Sequence, residues 1–506
     1  MSPINAQVGI VANCGGSYPT GEPFHPDTLY PELGRWIKHT TTDGTANRVY
    51  AGVRQMFHLL GLDDARFGTV NWNPLGRYIG PNQTLVIKPN FVLHESGRAV
   101  GQKCLTTHGS AIRAVIDYAY RAMEGVGRII IADAPLQGAR FDDILKDTGV
   151  ASVKRFYREQ LGFEVELVDL RKVAAYCDDA SGFVHKQVTL PGDPAGYRVI
   201  DVAGRSAFSS WPDYPERLAR FAVADYEECQ TRMRHAVGRH EYVVSGTILG
   251  ADAVIYMPKL KVHEKVGLTT CLKGMVGTIG SKDCLPHFCA GPPARHGDEF
   301  PDAGRALSWI WSTVRKCSQQ RVPLWMWKRL RRGGMCMAGI VLARNGGSGP
   351  GAMTHRRTPV SAGAWYGNDT AWRMVDDLNR IALYGTKTGE VATEPQRKVL
   401  MLVDGIIAGE GEGPLRPSPR PVGLLVGGEN AWAVDVACAT LAGFAWQRIP
   451  MLRRSVWREG AEGHLLDPTV DLQFLANVAE FRGLESIKTN AVHLKAPSGW
   501  IGKIEA

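Results

Sequence analysis

TLVIKPN (84–90) and TTHGSAIRAVIDYAYRAMEGVGRIIIAD (106–133) together decide the fold. Thr84–Ile87 is a short apolar run that reads as a strand. Ala111–Met123 follows, with Ile112, Val115, Ile116 and Ala119 in the i, i+3, i+4, i+7 rhythm of an amphipathic helix. Arg128–Ala132 is a second apolar strand, ending in Asp133. Strand, helix, strand predicts a parallel crossover unit. In such sheets ligands sit at the carboxyl ends of strands, where Lys88 and Asp133 stand.

Working outward, Glu164–Val168, Ala253–Met257, Lys398–Val403 and Gly423–Val426 read as further strands. Ala431–Leu441 reads as a helix after the turn Gly427–Asn430. Residues 170–240 are polar and irregular, an elaboration rather than a separate domain. The expected class is α/β: two lobes built on mostly parallel sheets with an inserted Trp/Arg-rich segment. The lobes are placed at 1–290 and 366–506, with an insertion or lid at 291–365. A chain of 506 residues fits two or three domains and can bury a large core unaided.

Charged residues make up 22% and hydrophobic residues 44%, which excludes a disordered chain and a membrane bundle. The longest apolar runs, such as 252–257 and 398–403, are strand-sized and far short of a membrane helix. The opening MSPINAQVGIVANCGG lacks a basic leader followed by an apolar stretch, so a cytoplasmic location is expected. The net charge of +9 is modest for this length and partly local, at Lys328, Arg329, Arg331 and Arg332. A small anionic metabolite is therefore favoured over specific nucleic-acid binding. Trp309, Trp311, Trp325 and Trp327 flank that basic group, making 305–332 a candidate for peripheral membrane or protein contact. The plainer alternative is that these tryptophans pack back onto the body. The ten cysteines include no C-x-x-C pair, which argues against an iron–sulfur cluster and a zinc ribbon. Free thiols in a reducing compartment fit better.

Three stretches could carry chemistry. PKLKVHEKVGLTTCLKGMVGTIGSKDCLPH (258–287) concentrates Lys259, Lys261, His263, Lys265, Lys273, Lys282 and His287 among glycines and prolines. Read as a constrained basic loop, it offers ammonium groups and free backbone N–H groups to an anion. A solvated basic loop is the alternative. DGIIAGEGEGP (404–414) sets Asp404, Glu410 and Glu412 in what reads as a glycine-rich loop. Such carboxylates could hold a divalent cation such as magnesium or act as a base; a charged turn is the alternative. IKPN (87–90) and TTHGS (106–110) bring Lys88 and Asn90 to a strand end and His108 and Ser110 to a helix start. There is no P-loop lysine motif, G-x-S-x-G elbow or H-E-x-x-H.

IKPN, TTHGSAIRAVIDY, the P-K-x-K-x-H segment, the LKG-x-VG-x-x-G-x-K-x-x-LPH run, GNDTAWR, DLNRIALYG, DGIIAGEGEGP and AVDVACATLAGF occur in order over about 84–450. In this the chain resembles domain-of-unknown-function family 362, in a long form without the ferredoxin-like cysteines some members carry. The resemblance implies a place in bacterial biosynthetic loci, including surface-polysaccharide loci. Gly274 stands where the family pattern has Asn, which removes an amide at that point. His263, Gly267 and Lys273 are also spaced similarly to a His–Gly–Lys arrangement in the N-terminal lobe of nickel-pincer lactate racemases. There the lysine holds a pyridinium-type cofactor. No histidine matches the later cofactor-ligating position, near His287 and Cys289, and that cofactor is not expected here.

The expected function is a biosynthetic enzyme acting on a small carboxylate- or phosphate-bearing metabolite in an interlobe cleft, by acid–base or metal-assisted chemistry. Its expected catalytic residues are His263, Lys273 and Glu410. Substrate binding is assigned to Lys88, Asn90, His108, Lys261, Lys282, His287 and Asn368, and cation binding to Asp404, Glu410 and Glu412. The alternative is a non-catalytic ligand-binding or scaffold protein that uses the same basic segment.

Overall fold

The computed structural model describes residues 6–41, 46–94, 103–177, 184–223, 228–301, 362–454 and 471–506. The candidate contact segment 305–332 and most of the insertion at 291–365 lie outside the described residues.

Ten strands form one sheet: β1 (Gln7–Val11), β2 (Thr84–Pro89), β3 (Arg128–Asp133), β4 (Val165–Asp169), β5 (Ala253–Met257), β6 (Lys259–His263), β7 (Gly267–Thr269), β8 (Lys398–Glu412), β9 (Arg416–Gly428) and β10 (Gln473–Ala476). The spatial order is β10-β1-β9-β8-β5-β2-β3-β4. From β8 through β4 every neighbour pair is parallel; β9 runs antiparallel to both β8 and β1. After Pro258 the chain continues as β6, also parallel to β8, and turns back through β7. The segments expected to form two lobes thus meet in a single sheet, through β5 and β6 on β8.

The strands bury alternate residues on opposite faces, as the pleat requires. Leu85, Ile87, Ile129, Ile131 and Ile255 join the core under one face, and Val86, Ile130, Val254 and Tyr256 the core under the other. Each fully buried aliphatic side chain contributes about 1.5–3 kcal/mol. The first face is covered by α1 (Arg48–Leu59), α2 (Gly109–Ala122) and α3 (Val150–Leu161). The other is covered by α4 (Ala371–Tyr384) and α5 (Ala431–Leu441). This three-layer α/β architecture matches the predicted class. Ile112, Val115, Ile116 and Ala119 are fully buried, as their spacing predicts. Residues 197–201 and 239–245 pair antiparallel and share the second core, so this stretch elaborates the body.

Two local expectations change. The glycine-rich segment 404–414 is strand as far as Glu412, because β8 continues its ladder with β9 to Arg416. Its glycines answer close neighbours: a Cβ on Gly409 would crowd Lys261, Pro417 and the Cys104 carbonyl. The expected basic loop at 258–287 is largely β6, β7 and short helical turns, and Lys259, Lys261 and His263 are all buried.

Candidate active site: a buried lysine cluster at the strand ends

Parallel pairing brings Lys88 opposite Tyr256, so β2 and β5 end side by side, with Asp133 closing β3 next to them. Lys88 Nζ lies 2.7 Å from Asp133 Oδ1 and donates to the Pro89 carbonyl at 2.8 Å. Phe91 N–H donates to Asp133 Oδ2 at 2.7 Å. Thr107 ties these ends together: its Oγ1 donates to the Met257 carbonyl at 2.5 Å and accepts from Asn90 N–H at 3.0 Å.

The ion pair is backed by Gly277, whose carbonyl accepts from Ala134 N–H at 2.8 Å. A Cβ at Gly277 would overlap Asp133 Oδ1 and Lys88 Nζ. Gly277→Ala is therefore expected to lower stability by about 1–3 kcal/mol. Urea denaturation checks this; an unchanged midpoint would show that Lys88 can withdraw without loss.

Lysines gather around that pair. Lys282 Nζ donates to the Val276 carbonyl, beside Gly277, at 2.6 Å. Lys261 Nζ donates to the Leu105 carbonyl at 2.6 Å. Lys273 sits on the short turn Cys271–Gly274, whose Cys271 and Leu272 N–H groups donate to Asp435 of α5 at 2.8 and 3.0 Å. Asn379 of α4 donates from Nδ2 to the Leu272 carbonyl at 3.0 Å, so the turn is gripped from both helices. Burial pushes Lys261, Lys273 and Lys282 down to about 7. Neighbouring ammonium groups reinforce the fall: Lys282, Lys265 and Lys88 at Lys273, and Lys259 and Lys273 at Lys261.

Two histidines complete the group. Burial, then Lys273 and Lys265, holds both His263 and His287 well below the ordinary histidine range, so both are neutral. Their hydrogen bonds assign opposite tautomers. His263 Nδ1 accepts from Lys265 N–H at 3.0 Å, which puts its proton on Nε2. His287 Nδ1 lies 2.9 Å from the Leu285 carbonyl and must donate to it, which leaves a lone pair on Nε2. One ring can donate a hydrogen bond and the other can take a proton.

The remaining sequence candidates fall elsewhere. Asn90 directly follows β2, with its side-chain oxygen buried and without a hydrogen-bond partner among the described residues. His108 caps α2: Ser110 N–H donates to its Nδ1 at 3.2 Å, and its ring stacks on Tyr18. Asn368 serves structure, with Nδ2 donating to the His287 and Gly363 carbonyls and Oδ1 accepting from Thr370 and Ala371 N–H.

The expected cation set does not converge. Asp404 is buried, 3.2 Å from Lys259 Nζ, and accepts from Tyr18 Oη at 2.6 Å and His108 N–H at 3.0 Å. Glu410 accepts from Lys495 N–H at 3.1 Å, and Glu412 is exposed, bonded to Ser498. Six residues along a strand is about 20 Å, so Asp404 and Glu410 cannot share an ion. Among the described residues no group of three or more His, Cys, Asp or Glu side chains is placed to hold a metal.

Sequence reasoning passed over Tyr18, took Gly277 only as one of the turn glycines of 258–287, and gave Asp435 little weight. Tyr18 carried no signal, since its partners lie hundreds of residues away. A surface depression of about 590 Å³, lined by Gln55, His58, Asp64 and Arg482 among others, lies at the β10 edge and contains none of the lysine cluster. The converging shifted groups, not that open hollow, mark the candidate site. No helix among the described residues is long and apolar enough to cross a membrane.

Comparison with known proteins agrees with the family resemblance. The family model described as domain of unknown function DUF362 matches residues 170–440. No curated protein matches the chain. A crystal structure of a protein from Thermotoga maritima is similar at 10% identity and a TM-score of 0.32, over 77% of this chain and 57% of that one.

Proposed function

The chain belongs to the DUF362 family, and from there we propose that it is an enzyme of the reducing cytoplasm that binds a small carboxylate- or phosphate-bearing metabolite and moves protons on it. One observation carries the reading: buried Lys88 pairs with Asp133, Lys261 and Lys282 also interact with that carboxylate, and Lys273 faces Lys88 and Lys282. Buried cations need counter-charge, and a bound anion supplies it. The opposite tautomers of His263 and His287 favour an enzyme over a passive binder. The buried free thiols, Cys271 and Cys284 among them, fit a reducing compartment. A biosynthetic role rests on the family resemblance alone.

The test is calorimetric titration with inorganic phosphate and with malonate, in buffers of different ionisation enthalpy. Saturable binding with proton uptake is expected, because the anion restores charge to lysines held at about 7. Affinity should therefore fall as pH rises from 7 toward 9. Lys282→Met should weaken binding at least about tenfold. No saturable binding of either anion between about pH 6 and about pH 8 would remove the proposal.

A further inference from the structure

We infer that Lys273 forms an imine with the substrate, which is a carbonyl compound bearing a carboxylate or phosphate close to that carbonyl. This rests on the anion-binding reading above and deepens it by naming the bond formed.

The argument begins with what each buried ammonium group already has. Lys88 has Asp133 and the Pro89 carbonyl, Lys261 the Leu105 carbonyl, and Lys282 the Val276 carbonyl. Lys259 has Asp404, and Lys265 the Ala362 carbonyl. Lys273 Nζ has no acceptor among the described residues, although its side chain is 8% exposed. A buried amine without an acceptor, facing other cations, gives up its proton near neutral pH, and the neutral amine so formed is a nucleophile. The backbone beneath it is fixed by Asp435 and Asn379, so the amine is held rather than free to retreat. Neither His263 Nε2 nor His287 Nε2 has a partner among the described residues, and both rings interact electrostatically with Lys273.

The step balances without an added oxidant or reductant. The Nζ lone pair adds to the carbonyl carbon, and the carbonyl π pair moves to oxygen, which accepts a hydrogen bond from His263 Nε2–H. Nitrogen gives one proton to the His287 Nε2 lone pair, and His287 passes it on to that oxygen. The nitrogen lone pair then expels the hydroxyl, which leaves as water with the second nitrogen proton, so a C=N bond remains and both histidines end neutral. Protonated, that imine draws electrons from an adjacent C–H bond and so supports proton transfer beside the former carbonyl. Lys282 and Lys88 are the groups placed to hold the adjoining anion.

The experiment uses the full chain with pyruvate and with dihydroxyacetone phosphate as probes, and acetone as the uncharged control. Sodium cyanoborohydride at neutral pH reduces any imine, and intact mass and peptide mapping locate the adduct. The expected product is one adduct per chain at Lys273, with a mass gain of the probe less one oxygen atom. An ordinary lysine is about a thousandfold less deprotonated at neutral pH, so labelling elsewhere should be minor. Lys273→Arg, which keeps the charge but cannot form an imine, should abolish the adduct, and phosphate titration of the parent protein reads the anion site separately. Labelling spread over surface lysines, labelling equal with acetone, or an adduct unaffected by Lys273→Arg would overturn the inference. Phosphate binding without an adduct from either charged probe sinks the imine but leaves the anion site standing. Absence of both defeats the two together.

Discussion

Asp404→Ala is expected to cost about 3–5 kcal/mol of folding free energy, the largest loss from a single change at the strand ends. Lys259 is fully buried, and Asp404 is its partner at 3.2 Å. The same carboxylate accepts from the Tyr18 hydroxyl and from His108 N–H, and Ile406 N–H donates to Oδ1 at 3.2 Å. Alanine takes the counter-charge from a buried ammonium group and the acceptor from several donors, and an unmade bond of this kind costs more than a made one contributes. The compensating double change, Asp404→Leu with Lys259→Met, should recover most of the loss, since removing both charges removes the desolvation problem. Urea denaturation of both variants checks the pair. A single variant within about 1 kcal/mol of the parent would mean that water reaches Lys259 and solvates it.

Between pH 7 and about 8.5 the ligand-free protein is expected to gain about 2–4 kcal/mol of stability, against the usual flat profile near neutrality. Lys261, Lys273 and Lys282 sit at about 7 when folded and near the ordinary lysine value when unfolded. Above pH 7 the unfolded chain binds more protons there than the folded one, so stability rises with pH. The three repel one another and titrate together, which keeps the sum below three independent contributions. Above about pH 8.5 buried thiols oppose the rise: Cys14 and Cys284, pushed up to about 12, ionise only when unfolded. Phosphate should stabilise most at pH 7 and flatten the slope. Lys273→Met should raise the ligand-free melting temperature at pH 7, because it deletes a buried cation rather than a contact. A lower melting temperature for that variant would show that Lys273 is satisfied in the ligand-free protein.

Periodicity made much of this fold legible. Ala253–Met257 and Ala431–Leu441 form the predicted strand and helix with the predicted bounds, because each is mostly apolar and buried on all sides, Asp435 and Thr440 of the helix included. The stretch 404–414 misled because glycine in sequence signals a turn, whereas here Gly405 and Gly409 make room for Leu424 and Lys261 across the sheet. The site was half legible. Lysines at strand ends and in 258–287 announced positive charge, and four of them cluster. The split between Lys259, neutralised by Asp404, and Lys273, neutralised by nothing described, could not be read. It depends on a pairing across 145 residues of chain. Asp435 looked like one more helix carboxylate, and its task of holding the Lys273 turn appears only in three dimensions.

Strand β8 has one more consequence, which concerns synthesis. Both β5 and β6 take it as their neighbour, Ala253 opposite Lys398 and Lys261 opposite Gly409. Until the ribosome has delivered Gly409, the nascent chain holds β5 with one raw edge and the neighbouring lysines without the strand that lines them up. At roughly 5–20 residues per second that interval lasts on the order of ten seconds. An open apolar edge invites pairing with other chains, and the cationic residues beside it are a natural brake on that encounter. On the proposed reading, one set of charges thus serves the finished protein and the unfinished one alike.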